Sequence, residues 1–254
     1  MCTLTIVPLR GGYRVMVNRD ESRVRAGATG PRVSRVGARE CVWPVDGKEG
    51  GTWIAASDGG VVMSIQNVNP DPRPVLPKGI VSRGHIIPPM MGLTSPSDAL
   101  LALENLDLET FAPFRLIAAD ARSILEARWN REALSITRRP MQAVCFTTSG
   151  LGDHLVTDRL TLFDAFVRER GVTGEMQEAF HAHRWAERPE VSVNMARPDA
   201  RTVSVTLVEV MRGEGCARAQ MTYRDDAGTA RASVGSAVSA STGVAAAADG
   251  RGAW

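Results

Sequence analysis

Residues 1–22 of the chain, MCTLTIVPLRGGYRVMVNRDES, alternate apolar and polar side chains on both sides of a glycine-containing turn. This pattern predicts a β-hairpin whose strands run from Thr3 to Pro8 and from Tyr13 to Asn18. The hairpin brings the start of the chain next to the charged residues that end its second strand.

Two turn positions are compatible with this hairpin. A turn at residues 10–11 places Cys2 opposite Arg19, whereas a turn at residues 11–12 places Cys2 opposite Glu21, with Arg19 as a diagonal neighbour. Facing and diagonal side chains in such a pair are about 5–8 Å apart. Both registers therefore predict charged side chains beside Cys2.

Cys2 is a candidate nucleophile because removal of Met1 would leave it with a thiol and a free α-amino group. These groups ordinarily titrate near pH 8.5 and about pH 7.7–8.0, so a modest influence of the surroundings produces a thiolate or a usable base. A guanidinium at Arg19 would favour the thiolate, and a carboxylate could hold the amine. The alternative is that Cys2 is simply a small residue and that residues 19–21 are a solvated charged run at a strand end.

The rest of the chain alternates strand patterns with a few helical ones. A helix is predicted over 99–106 after the N-cap Ser95, and two more are predicted over 160–170 and 175–185. Further strands are predicted at 52–56, 61–67, 114–119, 123–129, 134–138, 143–147, 191–195, 202–211 and 216–223. This order predicts an α+β protein with two sheets and helices on the outside.

The composition changes abruptly after residue 224. Residues 225–254 are rich in Ala, Ser, Gly and Thr and lack an amphipathic stripe, so they are predicted to form a disordered tail. The predicted domain therefore spans residues 1–224.

Charge and motif patterns exclude several functional classes. The net charge is +2, and the 30 basic residues are scattered among acidic ones, so no nucleic-acid partner is predicted. No apolar run reaches the roughly 18 residues of a membrane span, and the start lacks a signal peptide, which predicts a cytoplasmic protein. Nucleotide-loop and dinucleotide motifs are absent, and the four cysteines have no metal-ligand spacing. No cofactor or metal is therefore predicted.

Several short motifs together resemble the NRDE domain family, which is the family of transport and Golgi organisation protein 2. They are the initial Met-Cys, Asn18-Arg19-Asp20-Glu21, Gly50-Gly51-Thr52-Trp53, Asn67, Ser82-Arg83-Gly84 and Asp199-Ala200-Arg201-Thr202. The resemblance implies an N-terminal nucleophile hydrolase-like fold, a four-layer αββα sandwich. It also implies a relation to penicillin V acylases and bile-salt hydrolases, which begin with a catalytic cysteine.

The resemblance also implies roles for individual residues. Cys2 would be the nucleophile, Arg19 would stabilise its thiolate, and Asp20 would position the α-amino group. Asn67 would donate its side-chain amide to an oxyanion, although Asn67 also suits an ordinary strand exit. Arg201 matches the arginine that supports the nucleophile in the acylases.

One position departs from the acylase pattern. Thr148 stands where those enzymes place an asparagine, so one expected oxyanion donor is replaced by a hydroxyl. Among the other candidates, His181 and His183 lie two residues apart on a predicted helix, about 200° around its axis, and cannot chelate one metal. They are interpreted as surface or interface histidines.

The predicted function is that of a cysteine N-terminal nucleophile hydrolase or acyltransferase. Its substrate would be a small acyl amide or thioester, which reacts through an acyl-enzyme on Cys2. The alternative is a non-catalytic binding or trafficking protein on the same scaffold, with a hydrophobic ligand such as haem or an acyl lipid. Oligomeric state is not predicted.

Overall fold

A computed structural model describes residues 2–213 and 216–235, and within these ranges the chain forms two antiparallel sheets. The strands are β1 (Cys2–Leu9), β2 (Gly12–Ser22), β3 (Thr29–Val36), β4 (Arg39–Val45), β5 (Ile54–Ser57), β6 (Val62–Asn67), β7 (Phe114–Ala119), β8 (Ser123–Trp129), β9 (Leu134–Pro140), β10 (Val144–Thr148), β11 (Ala200–Gly213), β12 (Cys216–Asp225) and β13 (Gly228–Gly235). The first sheet has the order β10-β1-β2-β11-β12-β13, and the second has the order β3 to β9 in sequence.

Four α-helices lie outside the sheets in the described part of the chain. They are α1 (Ile87–Met90), α2 (Pro96–Glu104), α3 (Asp158–Arg170) and α4 (Gly174–Ala182). Helix α2 begins as predicted, since the Ser95 hydroxyl accepts a hydrogen bond from the backbone N–H of Asp98. No helix in this part of the chain has the length and apolar character that a membrane crossing requires.

The buried apolar residues form three clusters. A central core lies between the two sheets and includes Leu4, Ile54 and Val208. Helices α1 and α2 cover the outer face of the second sheet, where Ile87 and Leu103 are buried. Helices α3 and α4 cover the outer face of the first sheet around Val7. The architecture is therefore the αββα sandwich that the motifs implied.

The hairpin forms in the first of its two predicted registers. Cys2 pairs with Arg19 and Leu9 pairs with Gly12, so the turn lies at residues 10–11. Gly11 has a φ of +79°, a left-handed conformation that glycine adopts without steric cost. On β1 the even-numbered residues face the other sheet and the odd-numbered residues face helices α3 and α4.

The structure differs from the sequence predictions in two regions, residues 29–45 and 191–195. Strands β3 and β4 were not predicted, because β3 is largely exposed and β4 is an almost continuously buried run that shows no alternation. The strand predicted at 191–195 is wrong, since a 3-10 helix occupies Pro189–Val191. The segment that follows is held by single backbone bonds, such as Asn194 N–H to the His183 carbonyl at 2.9 Å.

The predicted tail begins too early. Gly228–Gly235 forms strand β13 in antiparallel pairing with β12, and Val234 is only 2% exposed. The expectation of disorder is therefore wrong for this segment. Its small side chains show no strong periodic pattern, and backbone pairing with β12 supplies the order that composition does not reveal. The rest of the predicted tail, 236–254, lies outside the described residues.

Candidate active site

A pocket of about 390 Å³ opens where β1 begins and β2 ends. Four of the six predicted site residues line it, namely Cys2, Arg19, Asp20 and Asn67. The fold therefore brings together side chains from β1, β2 and β6, which belong to both sheets.

Cys2 lies at the start of β1 with β2 on one side and β10 on the other. It pairs with Arg19 on β2 and with Thr148 on β10, and it is 6% exposed. Burial raises the pKa of the Cys2 thiol above its ordinary value, and the opposing effect of Arg19 is smaller. The surroundings of Cys2 therefore favour the neutral thiol over the thiolate, and the Cys2 sulfur needs a base to react as a nucleophile.

The positive charge of Arg19 is paired with groups other than Cys2. Its guanidinium forms an ion pair with Asp46 and lies 4.4 Å from the centre of the Trp53 ring. Asp46 also accepts hydrogen bonds from Arg25 at 2.8 and 3.0 Å. Burial alone would raise the pKa of Asp46, but the hydrogen bonds from Arg25 and from the backbone of Glu49 lower it overall. Arg19 is thus part of a rigid charged wall of the pocket.

Two glycines bring the Gly-Gly-Thr-Trp and Ser-Arg-Gly motifs into contact. The backbone N–H of Thr52 donates to the Gly84 carbonyl at 2.9 Å. A Cβ added to Gly51 would lie 2.5 Å from the carbonyl carbon of Gly84, a distance that real side chains do not tolerate. This close approach positions Arg83 on the pocket lining.

Asp20 projects from the opposite face of β2 toward helix α3. Its Oδ1 accepts a hydrogen bond of 2.6 Å from Thr202, and Nη1 of Arg159 lies 3.8 Å from its Oδ2. Burial raises the pKa of Asp20, while Arg159 and Thr202 oppose that rise. Because Arg19 pairs with Cys2, Asp20 lies one step beyond the Cys2 pair, on the side of the Cys2 backbone nitrogen.

Arg159 is the site-supporting residue that the sequence interpretation missed. It is 1% exposed on α3, and its guanidinium donates to Thr3 Oγ1 at 2.8 Å and to the Val191 carbonyl at 2.9 Å. One sequence signal could have found it. Arg159 lies four residues before the buried Phe163, so it belongs to the inward face of the helix.

Asn67 ends β6 with its side chain on the pocket lining. Its side-chain amide makes no hydrogen bond to any residue that the structure describes, unlike the amides of the buried Asn18. Both amide N–H groups can therefore donate hydrogen bonds to a group bound in the pocket.

The other two predicted residues lie outside the pocket lining. The Thr148 hydroxyl donates to Asp153 at 2.8 Å and accepts from Asn69 at 3.0 Å, so its hydrogen-bonding capacity is used locally. Arg201 forms an ion pair with the exposed Asp226 and lines a second pocket of about 240 Å³. The side chains of both residues therefore have their partners outside the lining of the pocket at Cys2.

His181 is buried under the first sheet, so its interpretation as a surface histidine is wrong. Its Nε2 lies 2.7 Å from Thr5 Oγ1 and its Nδ1 lies 2.8 Å from Asn18 Oδ1. The Asn18 amide donates to the carbonyls of His181 and Val193, both at 2.9 Å. Since Asn18 Oδ1 can only accept, Nδ1 carries the proton and Nε2 accepts from Thr5. This network anchors β2 to α4 next to Arg19.

The buried His181 makes stability depend on pH. Burial lowers its pKa from 6.5 to about 3, so the unfolded chain binds a proton that the folded protein excludes. The stability present above pH 6.5 is therefore lost as pH falls toward 3. We expect a loss on the order of 2 kcal/mol between pH 7 and pH 5, measured by urea unfolding.

A matched pair of variants isolates this contribution. His181→Gln should weaken the pH dependence between pH 7 and 5, whereas His154→Gln, at an exposed position, should leave it unchanged. Equal pH dependence in the wild type and His181→Gln would contradict the assignment.

Comparisons with solved structures and protein families place this fold among known proteins. The structure is similar to an N-acylethanolamine-hydrolyzing acid amidase ortholog from Caenorhabditis elegans, with a TM-score of 0.54 and 13% identity over 81% of this chain and 92% of that one. Two variants of the conjugated bile acid hydrolase from Clostridium perfringens have TM-scores of 0.52 and 0.53 at 10% and 9% identity, each over 92% of both chains. The fold is that of the N-terminal nucleophile hydrolases.

Sequence comparison adds the family. The search of curated proteins found no match to the sequence. The family model of Transport and Golgi organisation 2 matches residues 1–193, three quarters of the chain. The chain therefore belongs to the Transport and Golgi organisation 2 family.

Proposed function

We propose that this protein is a cysteine N-terminal nucleophile hydrolase or acyltransferase that acts on a small acyl amide or thioester through an acyl-enzyme on Cys2. The observation that carries the proposal is one pocket lined by Cys2, by Asp20 and by the unbonded side-chain amide of Asn67. The names of the similar structures, an acid amidase and a bile acid hydrolase, support the same reaction class.

The first half of the proposed reaction acylates Cys2. Removal of Met1 exposes the α-amine, which accepts the thiol proton as Sγ attacks the substrate carbonyl carbon. The carbonyl electron pair moves onto oxygen, and the Asn67 amide donates hydrogen bonds to that negative oxygen. The ammonium group then gives its proton to the leaving amine or thiol as the bond to the acyl carbon breaks, leaving a thioester on Cys2.

The second half releases the acyl group. A water molecule, or another acceptor, gives a proton to the α-amine as its oxygen attacks the thioester carbon. The carbon–sulfur bond breaks, and Sγ takes the proton back from the ammonium group. In this scheme Asp20 accepts a hydrogen bond from the α-amine, and Arg159 helps to keep the buried carboxylate ionised.

The alternative of a carrier for haem or an acyl lipid receives less support. Hydrophobic ligands occupy pockets lined mainly by apolar side chains. Here the lining includes charged residues in several parts of the wall, among them Arg19, Glu21, Asp46 and Arg83. This charged lining favours a small polar substrate.

Trapping the acyl-enzyme tests the proposed function. Incubation with p-nitrophenyl acetate followed by an acid quench should add one acetyl group to the peptide that begins with Cys2, as seen by mass spectrometry. Cys216→Ser, at a partly exposed cysteine of β12, should acetylate like the wild type. Acetylation spread over all cysteines, or confined to one other than Cys2, would contradict the proposal.

Asn67→Ala should slow acylation because it removes the donors to the developing oxyanion. The loss of one such donor lowers kcat by about 10²–10³-fold, with a smaller change in KM. Asn67→Asp keeps the shape without the N–H donors and should behave alike, while Asn105→Ala on the helix C-cap should have wild-type kcat. A rise in KM with unchanged kcat would show that Asn67 only binds substrate.

A further inference from the structure

Arg83 is a third arginine of the pocket lining, beside Arg19 and Arg25, and it has no part in the proposed reaction. It lies on the pocket lining and is partly buried. Nη1 donates to the Pro113 carbonyl at 2.8 Å, which fixes the guanidinium plane. Burial lowers the pKa of Arg83, so the fold keeps a charged group at a location that disfavours charge.

The acidic groups around the pocket already have cationic partners. Asp46 is paired with Arg19 and Arg25, and Glu21 lies 3.8 and 3.6 Å from the same two guanidinium groups. Asp20 faces Arg159 at 3.8 Å, and Glu49 faces Lys48 at 3.5 Å.

Arg83 differs from these groups because it forms no ion pair with any residue in the described ranges. Its Nε and Nη2 donors likewise have no hydrogen-bond partner there. The pocket therefore contains one guanidinium edge without a counter-ion, and a guanidinium edge matches a carboxylate in a two-bond arrangement.

We propose that Arg83 binds a carboxylate of the substrate, so that the preferred substrates are acyl amides or thioesters with a carboxylate close to the scissile bond. This preference for substrates with a carboxylate rests on the proposed function. Binding of a carboxylate beside Cys2 does not depend on turnover and can be tested by itself.

Alkylation of Cys2 by two reagents of similar size measures the anion site without acyl chemistry. In each reaction Sγ displaces iodide, forms a sulfur–carbon bond and loses its proton to solvent. Iodoacetate carries a carboxylate and iodoacetamide is neutral, so the ratio of their rates cancels differences in thiol reactivity. We expect Arg83→Gln to lower this ratio by roughly fivefold through loss of the charge attraction.

Two further variants make the result specific. Arg83→Lys keeps the charge and should retain most of the wild-type ratio, while Arg138→Gln, at an exposed position of β9, should match the wild type. Circular dichroism checks that each variant is folded. An unchanged ratio in folded Arg83→Gln, or a wild-type Cys2 that reacts with neither reagent, would overturn the proposal.

A substrate pair separates this inference from the proposed function. N-acetylglycine and N-acetylglycinamide differ only in the carboxylate, and the wild type should prefer the acid while Arg83→Gln should not. If neither substrate were turned over but Arg83→Gln still lowered the alkylation ratio, the anion site would stand and the hydrolase activity would be excluded. If the wild type turned over both substrates equally, and the alkylation ratio were the same in the wild type and Arg83→Gln, the hydrolase activity would stand and the anion site would be excluded.

Discussion

Acyl turnover is expected to fall by about 10³-fold or more when any residue remains attached before Cys2, because the general base is then an amide nitrogen. The effect follows from the raised pKa of the buried thiol, which needs a base to become a nucleophile. The register places Asp20 on the side of the Cys2 backbone nitrogen, where it can hold a free amine.

A removable N-terminal extension provides the measurement. The protein with the extension should be folded and inactive, and protease removal up to Cys2 should restore turnover. The purified native protein should begin at Cys2, as N-terminal sequencing would show. Full activity with the extension in place would exclude the α-amine as the base.

Arg159→Met should destabilise the protein by about 3–5 kcal/mol, because it removes the buried cation that faces the Asp20 carboxylate. The pKa of Asp20 is already raised by burial and should rise further in the variant. Protonation removes the negative charge of the Asp20 carboxylate, so the deficit should shrink as pH falls below that raised pKa. Urea unfolding at pH 7 and pH 4.5 measures both effects.

A double variant distinguishes the charge from packing. Adding Asp20→Asn to Arg159→Met removes the buried negative charge and should recover part of the lost stability, since the amide can keep the Thr202 contact. Turnover should stay low because no carboxylate remains to hold the α-amine. If the double variant were less stable than Arg159→Met, the ion pair would not be the cause.

The local patterns of the chain were sufficient for most elements of the fold. The strands β1, β2, β7 and β8 and the capped helix α2 were predicted within a few residues, because alternation and capping are short-range signals. Strands β4 and β13 were missed because they lack these short-range signals. A continuously buried strand and a strand of small residues carry no period that distinguishes them from a loop or a helix.

The candidate site was predicted in part. Cys2, Arg19 and Asp20 share one hairpin, so its register alone brings them together. Asn67 joined them through its family motif and lines the same pocket. Arg201 also matched a family position and Thr148 stands at one that holds an asparagine in the acylases, yet their side chains bond to Asp226 and Asp153.

The sequence by itself determined the hairpin, its adjacent cysteine and charged residues, and the family, since each depends on residues close in the chain or on a recognisable motif. Only the tertiary structure decided which charges meet. Arg159 reaches Asp20 across 139 positions of chain because α3 packs on the first sheet, and His181 is buried because α4 packs beside it. Burial also raises the pKa of the Cys2 thiol, and this effect leaves no local trace in the sequence because desolvation depends on everything packed around a group.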